Sequence, residues 1–282
     1  MQMRDFSGTG FMVSEIGVGT YYDPGWIVRA RLFGSRPNRD MKVKAISTAL
    51  ECGVNMIDTA EIYQSEDMVA EALGGRDRSK VFLATKVWPS HYRRERLLKS
   101  LRASLRRLGT DYVDLYQLHL NSSREKVGEA LKAIEEQVKE GTVRYIGISN
   151  FDAELTKFAL SVVRDARIVS TQMPFNLLNR KIEADILPIC RENGMSVLAY
   201  YPLGHGRLVT SSGKFAEAVK KIQEDHPGKT VPQIVLNWFL SKFDNVYPIP
   251  RASNPEHVRE NTGAMGWKMD EEEIKMLEQS VS

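Results

Sequence analysis

Four titratable side chains stand at or just after the ends of strand-like segments, a pattern typical of acid–base chemistry. Asp58 ends VNMID, Tyr63 follows within DTAEIYQSE, Lys86 ends KVFLATK, and His119 ends YVDLYQLH. A phenol with a pKa near ~10 is a poor acid at neutral pH unless a neighbouring cation stabilises the phenolate. We therefore expect Tyr63 to donate a proton, with Lys86 lowering its pKa and Asp58 balancing the lysine charge. His119 would hydrogen-bond and orient a substrate carbonyl.

Each of these residues also has an ordinary structural interpretation. An Asp after a strand commonly caps a helix, a loop Tyr packs, a strand-end Lys reaches solvent, and a lone His is a satisfied core group. Their joint position favours catalysis, because the C-terminal ends of parallel barrel strands meet at one rim.

Strand-like and helical segments alternate along the chain. The strands are nearly continuous apolar runs, typical of strands covered on both faces, and apolar residues between them recur at helical spacing, as over 97–109 and 127–141. Eight such units without a G-x-G-x-x-G sequence favour a closed (β/α)8 TIM barrel over an open doubly wound sheet. The strands are predicted at 14–20, 54–58, 80–86, 112–119, 143–149, 167–172, 195–200 and 245–250.

Additions to this barrel are predicted at both ends of the chain. The first ten residues, with SGTG as a turn, are expected to form a β-hairpin that plugs the barrel floor. Residues 22–40 are predicted to be a long basic loop after the first strand. Extra C-terminal helices are expected at 231–242 and 270–281, and no linker or repeat divides residues 1–282 into separate domains.

The composition disfavours several classes of function. The 39 basic and 36 acidic residues are mixed along the chain and leave a net charge of +3, so nucleic acid is not an expected partner. No apolar run or leader-like start predicts a membrane span or export, so we expect a cytoplasmic protein. Cys52 and Cys190 are predicted to be buried thiols. The histidines lack metal-ligand spacing, so no metal is expected and a metal-dependent barrel hydrolase is disfavoured.

Six motifs, in order along the chain, make this sequence resemble the aldo-keto reductases. They are DTAxxYxxE (58–66), TK (85–86), LYQLH (115–119), GISNF (147–151), QMPFNLLNR (172–180) and AYYPLG (199–204), within a match from about residue 14 to residue 262. The resemblance implies a (β/α)8 barrel that binds NADP(H), and possibly NAD(H), in extended form without a Rossmann domain. It also implies an Asp, Tyr, Lys, His tetrad at the four positions above.

Residues at the nicotinamide end of the cofactor are carried over motif by motif. Ser149, Asn150 and Gln172 correspond to groups that hydrogen-bond the carboxamide, and Tyr200 corresponds to the aromatic side chain that stacks on the ring. The alternatives are capping of the following helix by Ser149 and Asn150, and rim packing by Tyr200. Further cofactor contacts are expected from Gly19, Thr20, Tyr21, Asp58, Pro202, Leu203 and Gly204.

The loop PIPRASNPEHVREN is a candidate site for the cofactor phosphate. Barrel enzymes often bind phosphate in this region at a helix N-terminus, and Asn254 followed by Pro255 is a good helix start. Arg251 stands where the family usually has a Lys that contacts the 2′-phosphate of NADP. His257 replaces a common Arg, which leaves the preference for NADP over NAD open, although Arg259 adds charge. By resemblance, Ser253, Asn254, His257, Glu260 and Asn261 lie near the adenosine.

The substrate pocket is expected to be open and tolerant. Tyr21 and Trp88 match aromatic pocket walls of the family, and His119 would face the carbonyl. Leu120 and Asn121 stand in place of the frequent Trp-Pro, so the pocket should be less aromatic on that side. Candidate lids are Trp26, His91 and the 22–40 loop.

The leading hypothesis is an NADPH-dependent reductase of aldehydes or ketones in which Tyr63 protonates the carbonyl oxygen. The alternative is a nicotinamide-binding regulatory subunit with little turnover, as in the potassium-channel β subunits that resemble the same family. No exposed apolar run suits a permanent partner, which disfavours that alternative. We expect a small carbonyl or alcohol substrate, and a monomer or weak homo-oligomer.

Overall fold

Ten strands lie within residues 3–281, the part of the chain that the computed structural model describes. The first two, β1 (Met3–Asp5) and β2 (Met12–Ser14), form an antiparallel hairpin. The other eight form one parallel sheet in which the strand order follows the chain. They are β3 (Val18–Gly19), β4 (Met56–Asp58), β5 (Phe82–Val87), β6 (Val113–Leu118), β7 (Val143–Ser149), β8 (Ile168–Pro174), β9 (Ser196–Tyr200) and β10 (Val246–Pro248).

The sheet closes on itself where its first and last strands meet. Gly17 N–H donates to Pro248 O at 3.0 Å and Gly19 N–H donates to Pro250 O at 2.9 Å. A Cβ atom at Gly19 would lie 3.3 Å from Ile249 O, so glycine permits this close approach of the two chains. The predicted (β/α)8 TIM barrel is confirmed.

Helices follow the strands and cover the outside of the barrel. Side-chain caps begin several of them: Asp152 accepts from Leu155 N–H and Asp270 accepts from Glu273 N–H. The helices are α1 (Pro24–Phe33), α2 (Arg39–Glu51), α3 (Glu66–Leu73), α4 (Arg94–Leu108), α5 (Arg124–Glu140), α6 (Ala153–Val162), α7 (Ile186–Glu192), α8 (Lys214–Asp225), α9 (Val231–Lys242), α10 (Pro255–Thr262) and α11 (Glu271–Gln279). The predicted extra C-terminal helices are therefore α9 and α11.

The N-terminal hairpin closes one end of the barrel. It spans residues 3–14 and is therefore longer than the ten residues predicted. Phe6, at the bend of the hairpin, is fully buried. The centroid of its ring lies 4.6 Å from that of Phe82 and 5.3 Å from that of Tyr247. Because Phe82 begins β5, the hairpin covers the N-terminal ends of the strands, opposite the rim that carries the titratable residues.

The structure corrects two expectations about local structure. Residues 22–40 are not one long loop, because α1 occupies Pro24–Phe33. Asp23 accepts from Trp26 N–H at 2.7 Å and Pro24 takes the first helical position, which together begin a helix that the basic composition concealed. Cys190 is buried as predicted, whereas Cys52 is partly exposed because it lies at the C-cap of α2.

None of the helices within residues 3–281 combines the length and the apolar character that crossing a bilayer requires. No group of three or more His, Cys, Asp or Glu side chains in the same part of the chain is arranged to hold a metal ion.

We predict that the stability of the barrel depends on the hairpin through Phe6. Phe6→Ala should cost about 3–5 kcal/mol of unfolding free energy, because it leaves a cavity between Phe82 and Tyr247. Phe33→Ala, which truncates a side chain that is 75% exposed, is the matched control and should change it by less than about 0.5 kcal/mol. Guanidinium unfolding of both variants measures the difference, and equal midpoints would contradict this account of the hairpin.

Candidate active site

The four predicted catalytic side chains converge at the C-terminal rim of the barrel, and all four are buried. Asp58 is the last residue of β4, Lys86 is the next-to-last residue of β5, and His119 directly follows β6. Tyr63 ends a short 3-10 turn, Glu61–Tyr63, that follows β4. The Tyr63 hydroxyl lies 3.4 Å from Lys86 Nζ and 3.2 Å from His119 Nε2.

Lys86 is held by three oxygen atoms. Its Nζ donates to Asp58 Oδ2 at 2.6 Å, to Thr59 O at 2.9 Å and to the Tyr63 hydroxyl at 3.4 Å. Burial lowers the pKa of Lys86, and the charge of Asp58 opposes that shift. The ammonium is therefore fixed in place beside the phenol, with all three of its donors used.

Burial controls the protonation of the other two groups. It raises the pKa of Tyr63 well above 10, and the charge of Asp58 adds to that rise. The pKa of Tyr63 is therefore raised, whereas the sequence led us to expect that Lys86 would lower it. The phenol keeps its proton and can act as a proton donor. Burial, and then the charge of Lys86, lower the pKa of His119 to about 2. The imidazole is therefore neutral, and its Nδ1 has no partner within residues 3–281.

Two amides fix the second oxygen of the Asp58 carboxylate. Gln172 Nε2 donates to Asp58 Oδ1 at 2.8 Å and Gln117 Nε2 donates to it at 3.2 Å. From the sequence, Gln172 was expected only as a cofactor residue, and Gln117 was not expected at the site. The available signal was spacing, since Gln117 lies two residues before His119 and so points to the same face of β6.

The residues expected at the nicotinamide carboxamide form one network at the ends of β7, β8 and β9. Asn150 Nδ2 donates to His119 O at 3.0 Å and to Ser149 Oγ at 2.9 Å, while its Oδ1 accepts from the Tyr200 hydroxyl at 2.7 Å. Ser149 Oγ donates to Gln172 O at 3.0 Å. Helix α6 is capped by Asp152, so the alternative that Ser149 and Asn150 cap it is wrong.

The residues expected near the rest of the nicotinamide lie on either side of this network. Thr20 N–H donates to Asp58 O at 2.9 Å, and the Tyr21 ring lies edge-on to Tyr63 with centroids 5.1 Å apart. Pro202, Leu203 and Gly204 occupy the loop after β9. In that loop Tyr201 and His205 have φ of 53° and 57°, which marks a locally strained backbone at the rim.

Positive charge at the candidate phosphate site comes from Arg251, with Lys42 nearby. Arg251 is exposed, and its Nη1 donates to Tyr22 O at 2.6 Å. No carboxylate within residues 3–281 forms an ion pair with Arg251. Burial, and then the charge of Arg251, lower the pKa of Lys42, while the charge of Asp23 opposes that shift. Lys42 lies on α2, and its Nζ donates to Pro37 O at 2.8 Å. Its proximity to Arg251 was not visible in the sequence.

The predicted adenosine residues lie around the N-terminal half of α10. Asn254 caps this helix by accepting from Glu256 N–H at 2.8 Å, as expected. His257 is exposed, Ser253 and Glu260 are partly exposed, and Asn261 is buried.

One side of the candidate substrate pocket is formed by the segment after β5. The Trp88 ring lies edge-on to His119 with centroids 5.2 Å apart. Glu61 Oε1 accepts from Trp88 N–H at 2.6 Å and from His91 Nδ1 at 2.9 Å, which ties this segment to the turn that carries Tyr63. The Tyr92 hydroxyl donates to Leu120 O at 2.6 Å and so holds the segment to the residue after His119.

Trp26, expected as a lid, is a residue of α1, and its side chain is buried. Its ring lies 4.9 Å from that of Tyr22, and its Nε1 donates to Pro37 O at 3.2 Å. A side chain packed in this way anchors α1 and does not extend over the pocket.

Known proteins resemble this chain along nearly its whole length. The profile of the Aldo/keto reductase family matches residues 15–282. Methylglyoxal reductase YeaE of Escherichia coli K12 is 33% identical over 283 residues, which cover 99% of this chain and 94% of that protein. The thermostable aldo-keto reductase Tm1743, solved with the inhibitor epalrestat, has a TM-score of 0.87 and 36% identity, with 99% of this chain and 100% of that chain covered.

A second solved structure adds a bound cofactor to this comparison. An aldo-keto reductase from Klebsiella pneumoniae, solved in complex with NADPH, has a TM-score of 0.85 and 32% identity, with 99% of this chain and 95% of that chain covered. Family profile, sequence relatives and solved structures all indicate the same family. The chain belongs to the aldo/keto reductase family.

Proposed function

We propose that this chain is a cytoplasmic, NADPH-dependent reductase of aldehydes and ketones in which Tyr63 protonates the carbonyl oxygen. The observation that carries the proposal is the Tyr63 hydroxyl, buried between Lys86 Nζ at 3.4 Å and His119 Nε2 at 3.2 Å. The E. coli relative named methylglyoxal reductase supports small, reactive aldehydes as the first substrates to test.

The residues present fit a nicotinamide cofactor with a 2′-phosphate. Arg251 is an exposed cation beside the N-terminus of α10, and it forms no ion pair within residues 3–281. A helix N-terminus next to such a guanidinium suits a phosphate. Gln172 and the Asn150 network lie near the C-terminal ends of β7 and β8, where they would hold the carboxamide. When bound, NADPH supplies the hydride that reduces the carbonyl carbon.

The side chains of this site then handle the proton. The Tyr63 O–H bond breaks and its proton passes to the carbonyl oxygen as that oxygen gains charge. The phenolate left on Tyr63 is stabilised by the Lys86 ammonium, whose Nζ lies 3.4 Å from the Tyr63 oxygen. Neutral His119 can donate an Nε2–H hydrogen bond to the same carbonyl oxygen, which would orient the carbonyl for reduction.

We predict that Tyr63→Phe abolishes turnover and leaves cofactor binding intact. The change removes only the hydroxyl that donates the proton, while Lys86 keeps its contacts with Asp58 and Thr59. NADPH oxidation with methylglyoxal or an aromatic aldehyde measures turnover, and tryptophan fluorescence quenching measures NADPH affinity. Normal turnover by the variant would refute the assignment of Tyr63. Tight NADPH binding by a wild-type protein that turns over no carbonyl would instead favour a regulatory role.

A second prediction concerns the choice between NADPH and NADH. Arg251→Ala should raise the KM for NADPH by roughly tenfold or more, because a charge-assisted hydrogen bond to phosphate contributes about 1.5–3 kcal/mol. The KM for NADH should change little, since NADH lacks the 2′-phosphate. Lys139→Ala, which removes an exposed cation paired with Asp165, is the control and should affect neither value. Equal increases for both cofactors would show that Arg251 does not bind the 2′-phosphate.

A third prediction concerns the pocket wall that Glu61 holds. Glu61→Ala removes the acceptor of Trp88 N–H, so the segment loosens and the KM for the carbonyl substrate should rise. Glu61→Gln keeps an oxygen acceptor at the same place and should restore most of the wild-type KM. NADPH affinity should be unchanged in both variants. If both variants keep the wild-type KM for a set of aldehydes of different size, Trp88 does not form a substrate wall.

A further inference from the structure

A buried glutamine beneath the catalytic carboxylate takes no part in the steps proposed above. Gln117 is completely buried on β6, and its Nε2 donates to Asp58 Oδ1 at 3.2 Å. Its Oε1 is also buried and has no hydrogen-bond partner within residues 3–281. The side chain is therefore satisfied only on the side that faces Asp58.

A buried carbonyl oxygen without a partner in the protein is unfavourable for folding, and an unbranched apolar side chain at position 117 would avoid that penalty. The neighbouring Ser170 Oγ, which could have offered a hydrogen bond, is likewise buried and without a partner in the described chain. A buried polar group without a hydrogen-bond partner does not stabilise the fold, so its presence needs another explanation.

The chain also makes room for this glutamine. Gly147 pairs with Gln117 in the register of β6 and β7. A Cβ atom at Gly147 would lie 2.7 Å from Gln117 Cγ and 2.9 Å from Ser170 Oγ, closer than side chains pack. Gly147 is not among the glycines with positive φ, so its backbone does not require glycine. The glycine of the GISNF motif is explained by the space that Gln117 occupies together with Ser170 and Leu115.

Gln117 and Gln172 both donate to Asp58, but only Gln172 is proposed to contact the cofactor as well. Under the function proposed above, Gln172 also hydrogen-bonds the nicotinamide carboxamide, so its position is constrained by both the cofactor and Asp58. Within residues 3–281, the one side-chain hydrogen bond of Gln117 is the bond to Asp58. We propose that Gln117 is a positioning residue that holds the Asp58 carboxylate, and through it the Lys86 ammonium, where Tyr63 needs it for proton transfer. This inference rests on the proposed reductase function.

The test uses Gln117→Met in the full-length protein. The variant should lower kcat by roughly ten- to a hundredfold, as expected when catalytic groups are displaced by about 1 Å. The Kd for NADPH and the KM for the aldehyde should stay at wild-type values. The thermal midpoint should stay the same or rise, because the unpartnered oxygen is removed. Ser170→Ala, the matched control, removes the neighbouring unpartnered hydroxyl without touching Asp58 and should leave kcat unchanged.

A second variant, Gln117→Glu, tests the hydrogen bond itself. The introduced carboxyl group can donate to Asp58 only while it is protonated, and burial beside a carboxylate raises its pKa. At low pH kcat should approach the wild-type value. As the pH rises through that pKa, the donor is lost and two carboxylates face each other, so kcat should fall to or below the Gln117→Met value. The wild-type profile should lack this fall.

Several outcomes would overturn the role of Gln117. Wild-type kcat in Gln117→Met would do so, and so would a fall in kcat accompanied by a lower thermal midpoint, which indicates a purely structural role. A loss of NADPH affinity equal to that of Gln172→Met would place Gln117 in cofactor binding instead. If the wild-type protein turns over no carbonyl compound, the reductase proposal itself fails, and this inference fails with it.

Discussion

The buried ion pair between Lys86 and Asp58 is the interaction on which the site depends. Removing an ammonium and a carboxylate from water costs several kcal/mol per ion, and only close pairing with full hydrogen bonding offsets that cost. Here Nζ and Oδ2 are 2.6 Å apart, and Thr59 O takes a further donor of the lysine. The strand register makes this pairing possible, since Asp58 pairs with Ala84, and Lys86, two residues further along β5, points to the same face.

The apolar interior of the barrel below this pair sets the acidities above it. Beneath the charged layer the barrel is filled by a cluster that includes Phe6, Met56, Phe82 and Leu115, all fully buried. Such packing excludes water from the floor of the site, so burial raises the pKa of Tyr63 and lowers that of His119. The same exclusion keeps the phenol protonated as a donor and the imidazole uncharged. The N-terminal hairpin, the apolar core and the catalytic rim therefore act together to set the pKa values of Tyr63 and His119.

The sequence was sufficient for the barrel and for the four rim residues, because both follow from local signals. Apolar runs mark the strands, and a titratable residue at a strand end is visible without knowing the fold. Gln117 was missed because an amide does not titrate and its partner Asp58 is 59 positions away. The proximity of Lys42 to Arg251 was also not predictable, since only the folded chain brings α2 towards Arg251. Burial raises the pKa of Tyr63, opposite to the lowering expected from Lys86, because the sequence does not show how deeply a side chain is buried.

The division of the rim into sectors explains how one scaffold can orient two reactants. Strands β4, β5 and β6 carry the proton-handling groups, strands β7 to β9 carry the amide network, and the segment after β10 carries the positive charge. These sectors are joined by hydrogen bonds as well as by the sheet, since Asn150 donates to His119 O and Gln172 donates to Asp58. These bonds fix a group held by the amide network relative to His119 and Asp58. In such a site a displacement of one sector shifts the sector hydrogen-bonded to it. Residues that take no direct part in the reaction therefore affect how accurately the proton donor is aligned with the carbonyl.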